Sequence, residues 1–384
     1  MNNRINKNGK RQERKFGRKS KLIISTLLLL AMALNLVACQ SKNKNNNQAV
    51  QTTSKSKDSA DTEAKDTEVQ DTDTKPTELK VVKLASPTQD GNFVESAKIA
   101  QAQGYIEEEL AAVGYKPEYI AFAQAGPAIN EALVAKEVDI AVYGDLPIIT
   151  LRSNGGKIKV FAAANTEYQF GILAAPGVEI KEPKDLEGKK VILGKGTVAH
   201  YYYYQLVKNY NLDESKIQLI NANADSQSIL ATGDADALIY TLFAEKYYET
   251  IGVGTVVNTS YDTPERTAQF LVAGREEYLE KNRDVAKAII RALNRAQEYA
   301  ASDEKGAYKA LAGEGSKIPE SVYEDTYNYD TTFSYFKPEL TKESQDKIVS
   351  LIDFAYENGL IQEKVDINDL IDTSYYEEVL AESK

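Results

Sequence analysis

From residue 79 onward, short apolar runs alternate with stretches in which apolar residues recur every three or four positions. The runs at 81–85, 139–143, 159–163, 170–174, 191–194, 217–221, 237–240 and 269–273 read as strands. Between several of them lie helical patterns, such as Ile129 with Leu133 and Val134, and Ile229 with Leu230. Strand and helix alternating in this way predict an α/β fold with mostly parallel sheets. From Asn282 the helical pattern takes over. Val285, Ile289, Ala292, Leu293 and Ala296 make one apolar stripe, and Ile348, Leu351, Ile352 and Ala355 make another that Gly359 stops.

The pattern repeats within the chain. Residues 133–143 align without a gap to 230–240, and each stretch reads as a helix end, a tight turn with an acid, and a buried strand ending in tyrosine, Tyr143 or Tyr240. Strand-loop-helix openings precede the copies at 80–88 and 189–197. Two similar α/β lobes facing each other would bring the carboxyl ends of both sheets to one crevice, with Tyr143 and Tyr240 on opposite walls. Chance likeness between two helix-turn-strand units is the alternative.

The first 78 residues have a different texture. Residues 1–21 hold nine Lys/Arg against one acid, Glu13, and 22–38 are apolar except for Ser25, Thr26 and Asn35. A basic head before such a run predicts a signal peptide over 1–38. The apolar run is short and interrupted for a spanning anchor. Leu36-Val37-Ala38 before Cys39, the sole cysteine, resembles the lipobox of bacterial lipoproteins, which implies acylation of Cys39 and a place on the extracytoplasmic face of the cell membrane. Residues 40–78 contain no aromatic residue and no Ile, Leu or Phe, too little apolar surface to fold. We therefore expect 39–78 to be a disordered tether, with an r.m.s. span of roughly 35 Å.

Charge narrows the function. The chain carries a net charge of −11, and without residues 1–38 it keeps 37 basic against 56 acidic residues, near −19. Nucleic-acid binding, which depends on neutralising phosphates, is not expected. With one cysteine there is no intramolecular disulfide, and the folded part rests on its core. His200 is the only histidine, so neither a metal site nor a catalytic triad is indicated.

Several short motifs carry a family resemblance. Leu186-Glu187-Gly188-Lys189-Lys190-Val191, then Gly194-Lys195-Gly196-Thr197 and His200-Tyr201, with Ala125-Gly126-Pro127 and Gly144-Asp145-Leu146-Pro147 upstream, resemble the aliphatic-sulfonate, taurine and nitrate binding proteins of ABC importers. The likeness runs from about 79 to 370. It implies a two-lobed α/β fold of the type II periplasmic-binding-protein kind, each lobe a mostly parallel sheet flanked by helices. Lobe 1 would span 79–174, lobe 2 175–272, and 273–384 would return to lobe 1, with crossings near 174–177 and 273. It also implies a monomer without cofactor or catalytic residue, which captures a small anion for a membrane permease and its ATPase.

The residues agree with anion capture by dipoles. Gly196 and Thr197 open a predicted helix whose unpaired N–H groups suit an oxyanion, and Gly126 opens another. Ordinary tight turns would look the same. By the resemblance, His200 and Tyr201 lie beside the ligand, with His200 donating best when protonated. Residues 201–204 are all tyrosine and, on one helix, at most two can line a cleft. Gly144 precedes Asp145, which could accept from an amine or cap the following helix. Gln89 and Asn92 offer amide donors in the first strand-helix loop, where turn chemistry is the other explanation. Sulfonate binders place Trp-Asp-Pro-Tyr after the second-lobe strand, where this chain has Thr241-Leu242-Phe243-Ala244. Tyr240 or Phe243 would then replace the missing wall. The ligand class accordingly stays open between an alkanesulfonate, taurine, nitrate and a thiamine-precursor pyrimidine. An enzyme like the pyrimidine synthases of the same fold is the remoter alternative, because their Cys-rich motif is absent, and a surface adhesin or signalling lipoprotein is a third.

Overall fold

The computed structural model describes residues 78–382 apart from 261–266 and 314–315. The expected signal peptide, the lipidated Cys39 and the tether up to residue 77 lie outside the described residues. Among the described residues ten strands run in chain order: β1 (Lys80–Ser86), β2 (Tyr115–Ala121), β3 (Ile140–Gly144), β4 (Ile158–Tyr168), β5 (Phe170–Ala174), β6 (Lys190–Leu193), β7 (Gln218–Asn221), β8 (Ala237–Thr241), β9 (Thr255–Thr259) and β10 (Ala268–Arg275). They form two five-stranded sheets, β2-β1-β3-β10-β4 and β7-β6-β8-β5-β9. The fourth strand of each, β10 or β5, runs antiparallel to both its neighbours. The two orders are the same order written twice.

The repeat extends to individual hydrogen bonds. Asp139 accepts from the Lys83 N–H at 2.9 Å, and Asp236 accepts from the Lys190 N–H at 2.7 Å. Each acid thereby ties the start of a central strand to its parallel neighbour. In both copies the turn before the acid needs a left-handed residue, Lys136 at φ 61° and Gly233 at φ 77°. Glycine adopts that conformation freely, whereas lysine holds it at a cost of roughly 1 kcal/mol.

Two lobes, each built on one sheet, are as expected, but each sheet is mixed, with two parallel and two antiparallel pairings, and the borders also differ. The chain leaves the first sheet after Tyr168, because β5 already belongs to the second, and it is back in the first from Ala268. The expected crossings near 174–177 and 273, and the borders at 174/175 and 272/273, are corrected accordingly. Both β5 and the stretch Ala268–Gly274 of β10 are buried along their length, so their apolar pattern is the same whichever sheet receives them. The two missed strands, β2 and β9, lie at sheet edges. β2 reads Tyr-Lys-Pro-Glu-Tyr-Ile-Ala and is never fully buried, and its proline is tolerated because one side of an edge strand has no ladder.

The strands between the lobes are pinned to each other. Ser260 donates to Gln169 Oε1 at 2.8 Å and accepts from the Phe170 N–H at 2.8 Å. Around this joint the Tyr168 ring lies 4.2 Å from Phe270 and 5.3 Å from Phe170. The helices that accompany the two sheets include α1 (Glu95–Ala102), α2 (Gly126–Val134), α3 (Asp145–Ser153), α4 (Val198–Tyr210), α5 (Leu242–Thr250), α6 (Arg283–Ser302), α7 (Glu320–Tyr327) and α8 (Lys342–Glu357). α6 buries the predicted stripe of Val285, Ile289, Ala292, Leu293 and Ala296, and each large aliphatic side chain so buried contributes about 1.5–3 kcal/mol. No helix among the described residues is long and apolar enough to cross a membrane.

Candidate functional site

The carboxyl ends of the parallel strands of one sheet meet those of the other, and the contacts there are close. Thr197 is the N-cap of α4, with extended backbone angles and its hydroxyl donating to the Gly194 carbonyl at 2.7 Å. Gly196 supplies the left-handed turn before it, at φ 76°. This compact loop aims the start of α4 at the first lobe. A Cβ on Gly144 would stand 2.3 Å from Val198 Cγ1, and one on Gly196 would stand 3.6 Å from Pro127. Glycine at 144 is therefore what lets α4 seat against the end of β3. A third tie crosses the seam where Asn223 Nδ2 donates to the Ala123 carbonyl at 3.1 Å.

The first turn of a helix presents N–H groups with no intrahelical partner, and the start of α4 lies against the ends of β3 and α2. Together with the positive end of the α4 dipole these N–H groups suit an oxyanion. α2 begins tightly as well: a Cβ on Gly126 would meet Pro147 Cγ at 2.4 Å, and Ala125 before it holds φ 57°.

His200 behaves differently from expectation. Its Nδ1 accepts from the Gly196 N–H at 3.1 Å, and its ring lies 4.6 Å from that of Tyr204. Burial, with Lys195 nearby, pushes the imidazole down to about 4. It is a neutral acceptor that shapes the glycine loop, not a cationic donor.

Two other expected residues, Tyr143 and Asp145, are used inside their own lobe, whereas Tyr201 of α4 reaches across the seam. Tyr143 is fully buried and donates to Asn130 Oδ1 at 3.1 Å, while Asn130 donates to the Pro147 carbonyl. It does not stand on a wall opposite Tyr240, because it shares a sheet face with Ala141, among the side chains under α2 and α3. Asp145 accepts from the N–H groups of Leu146 and Gln269, both at 2.8 Å. It orders the start of α3 and fastens it to β10, and burial pushes its carboxyl up to about 7. With Tyr201, Lys342 and Lys347 it lines a cavity of about 470 Å³ against α8. Tyr201 itself packs edge-on against Phe354 of α8 at 5.2 Å.

Of the remaining positions, Gln89 and Asn92 are exposed, and Asn92 bonds to Asp90 as turn chemistry would have it. Tyr240 is the penultimate residue of β8, half-buried, and its N–H donates to the buried Glu245. Four seam residues were missed: Val198, Asn223, Glu95 and Asn165. Asn223 had a usable signal, since it follows β7 in the copy of the loop that holds Phe122 and Ala123. Among the described residues no group of three His, Cys, Asp or Glu is placed to hold a metal.

Residues 97–307 match the family model described as NMT1/THI5 like. The chain belongs to the NMT1/THI5-like family. A Bacillus subtilis relative in the comparison, named for binding aliphatic sulfonates, is 23% identical over 291 residues, covering 74% of this chain and 84% of its own. The crystal structure of a periplasmic sulfonate-binding protein of an ABC transporter from Methylobacillus flagellatus superposes with a TM-score of 0.64 at 25% identity, covering 80% of this chain and 95% of that one. A desulfurization enzyme shares the fold at 11% identity and a TM-score of 0.61, covering 79% of this chain and all of the other. The two-lobed binding-protein fold of this NMT1/THI5-like chain thus serves catalysis in some proteins and capture in others.

Proposed function

We propose that the chain is the extracytoplasmic solute-binding component of an ABC importer. It captures a small sulfonate-type anion, an alkanesulfonate or taurine, between its lobes and delivers it to a permease and ATPase. The observation that carries this reading is the start of α4 seated on Gly144 across the seam. A sulfonate bound there would take N–H bonds from one lobe while touching the other, so binding and closure would be one event. Gly126, Gly196 and Thr197 would line this seat, with His200 holding the loop from behind. The described residues form a monomeric unit in this account, tethered to the membrane through lipid on Cys39. Relatives named as binding proteins favour capture over catalysis for this chain.

A thermal-shift panel of alkanesulfonates, taurine, sulfate, nitrate and pyrimidine precursors tests the reading. Stabilisation by sulfonates, with no product formed on long incubation, is the expected outcome. A flat response to every anion would contradict it, and a response confined to nitrate or to pyrimidines would move the chain to those branches.

A further inference from the structure

Glu95 opens α1 at the edge of the first sheet that faces the second lobe, in a left-handed conformation at φ 59°. It is only 3% exposed. Its Oε2 accepts from Asn165 Nδ2 at 2.7 Å and its Oε1 from the Tyr327 hydroxyl at 2.8 Å. The charged and titratable groups facing the carboxylate are Lys98, Tyr168, Tyr323, Tyr327, Tyr329 and Tyr335. All five tyrosines are pushed upward by burial, so they stay neutral. Lys98 is drawn aside, its ammonium 3.4 Å from the Ala312 carbonyl and over the Tyr323 ring. Among the described residues no cationic side chain lies within ion-pairing distance of Glu95.

This cage sits on the seam. Tyr168, the last residue of β4, stands at the joint between the lobes, its ring 5.3 Å from Phe170 of β5 and 4.2 Å from Phe270 of β10. Next to it, Phe243 of α5 stacks on Tyr323 of α7 at 5.7 Å. The cage also shares a row with the anion seat, because Gly144, Phe270 and Asn165 are direct neighbours across β3, β10 and β4. Two strand spacings separate the ends of that row, roughly 10 Å. A two-carbon aminosulfonate with a hydrogen bond at each end spans about that length.

A carboxylate buried without a cation is costly, and tyrosine faces attract ammonium groups. We propose that Glu95 and its tyrosine cage receive the ammonium end of a zwitterionic ligand whose sulfonate end lies on α4, so that the chain selects amine-bearing sulfonates. The proposal rests on the sulfonate reading and names the second half of the same site. Burial pushes the Glu95 carboxyl up to about 7, and an arriving ammonium would return it to the ionised form.

Calorimetry on the purified chain with taurine, ethanesulfonate and ethylammonium-bearing compounds on other head groups tests it. Taurine is expected to bind at least tenfold tighter than ethanesulfonate. Glu95→Gln should bring that ratio within threefold. Should the variant fold poorly, the unmodified chain still answers, because taurine binding at pH 7 should release a fraction of a proton and ethanesulfonate binding should release none. Equal binding of the two sulfonates, or a preference that survives Glu95→Gln, would overturn the proposal and leave the sulfonate reading intact. If no sulfonate binds but another amine-bearing ligand does, with the same sensitivity to Glu95→Gln, the sulfonate reading falls and the cage stands. If no amine-bearing compound binds, the cage falls.

Discussion

The loops after β1 and β6 leave equivalent strands, tied to their neighbours by equivalent acids, and then diverge. The second-lobe loop has four residues, 194–197, and spends them on a glycine turn and a threonine N-cap that makes no side-chain cap bond to the helix. The first-lobe loop has eight, 87–94, and delivers Glu95 into a buried cage of neutral donors and rings. One side of the seam therefore offers backbone dipoles and the other a carboxylate. The shared framework fixes where the two loops meet, and the loops decide what each can hold.

The largest expected effect comes from joining the two sides badly. Gly144→Ala places a methyl 2.3 Å from Val198 Cγ1, so closure should cost about 1–3 kcal/mol and sulfonate affinity should fall about fivefold or more in a titration. Val198→Ala in the same chain should restore most of it, and a double mutant as weak as the single would break the assignment of the seam. Next, Thr197→Val removes the loop's hydroxyl and should weaken sulfonate binding by roughly 1–3 kcal/mol. Unchanged affinity would take Thr197 out of the seat.

The acids on the first-lobe side should show in stability against pH. Burial raises Glu95 from 4.5 and Asp145 from 3.8, each to about 7. Between about 4.5 and 7 the folded chain then holds protons that the unfolded chain has released, so these groups make stability fall as pH rises through that window. His200, pushed down from 6.5 to about 4, opposes them, because the unfolded chain gains its proton below 6.5 and stability rises with pH up to there. Glu95→Gln removes one falling contribution, at most on the order of 3 kcal/mol. Ligand-free melting temperature should therefore fall less from pH 5 to 7 in the variant, and an identical slope would show that the cage is not desolvated. The smallest effect concerns His200. Since it stays neutral, His200→Gln should leave the pH profile of ethanesulfonate affinity unchanged, whereas a profile that gains affinity in acid only when His200 is present would restore it as a cationic donor.

Much of the fold was legible because central strands buried on both faces announce themselves as apolar runs, and the 97-residue echo exposed the second lobe. Edge strands β2 and β9 were not, because a half-exposed strand need not be apolar. The glycine loop at 194–197 was readable as the opening of a helix, and its place beside a ligand came with the family resemblance. Tyr143 was misread because a strand-end position says nothing about which sheet face the side chain takes, and here the register sends it under α2. Glu95 escaped notice because an acid in the first turn of a helix is commonplace, and only the positions of Asn165 and Tyr327, 70 and 232 residues away, show that it is buried.

The central claim is a place for the sulfonate, and a crystal of the chain with ethanesulfonate, collected at long wavelength, tests it most directly. The account predicts a sulfur anomalous peak within hydrogen-bond reach of the first N–H groups of α4, between Gly144 and Gly196. A peak in the cavity lined by Asp145 and Lys347, or anywhere else away from the seam, would contradict it.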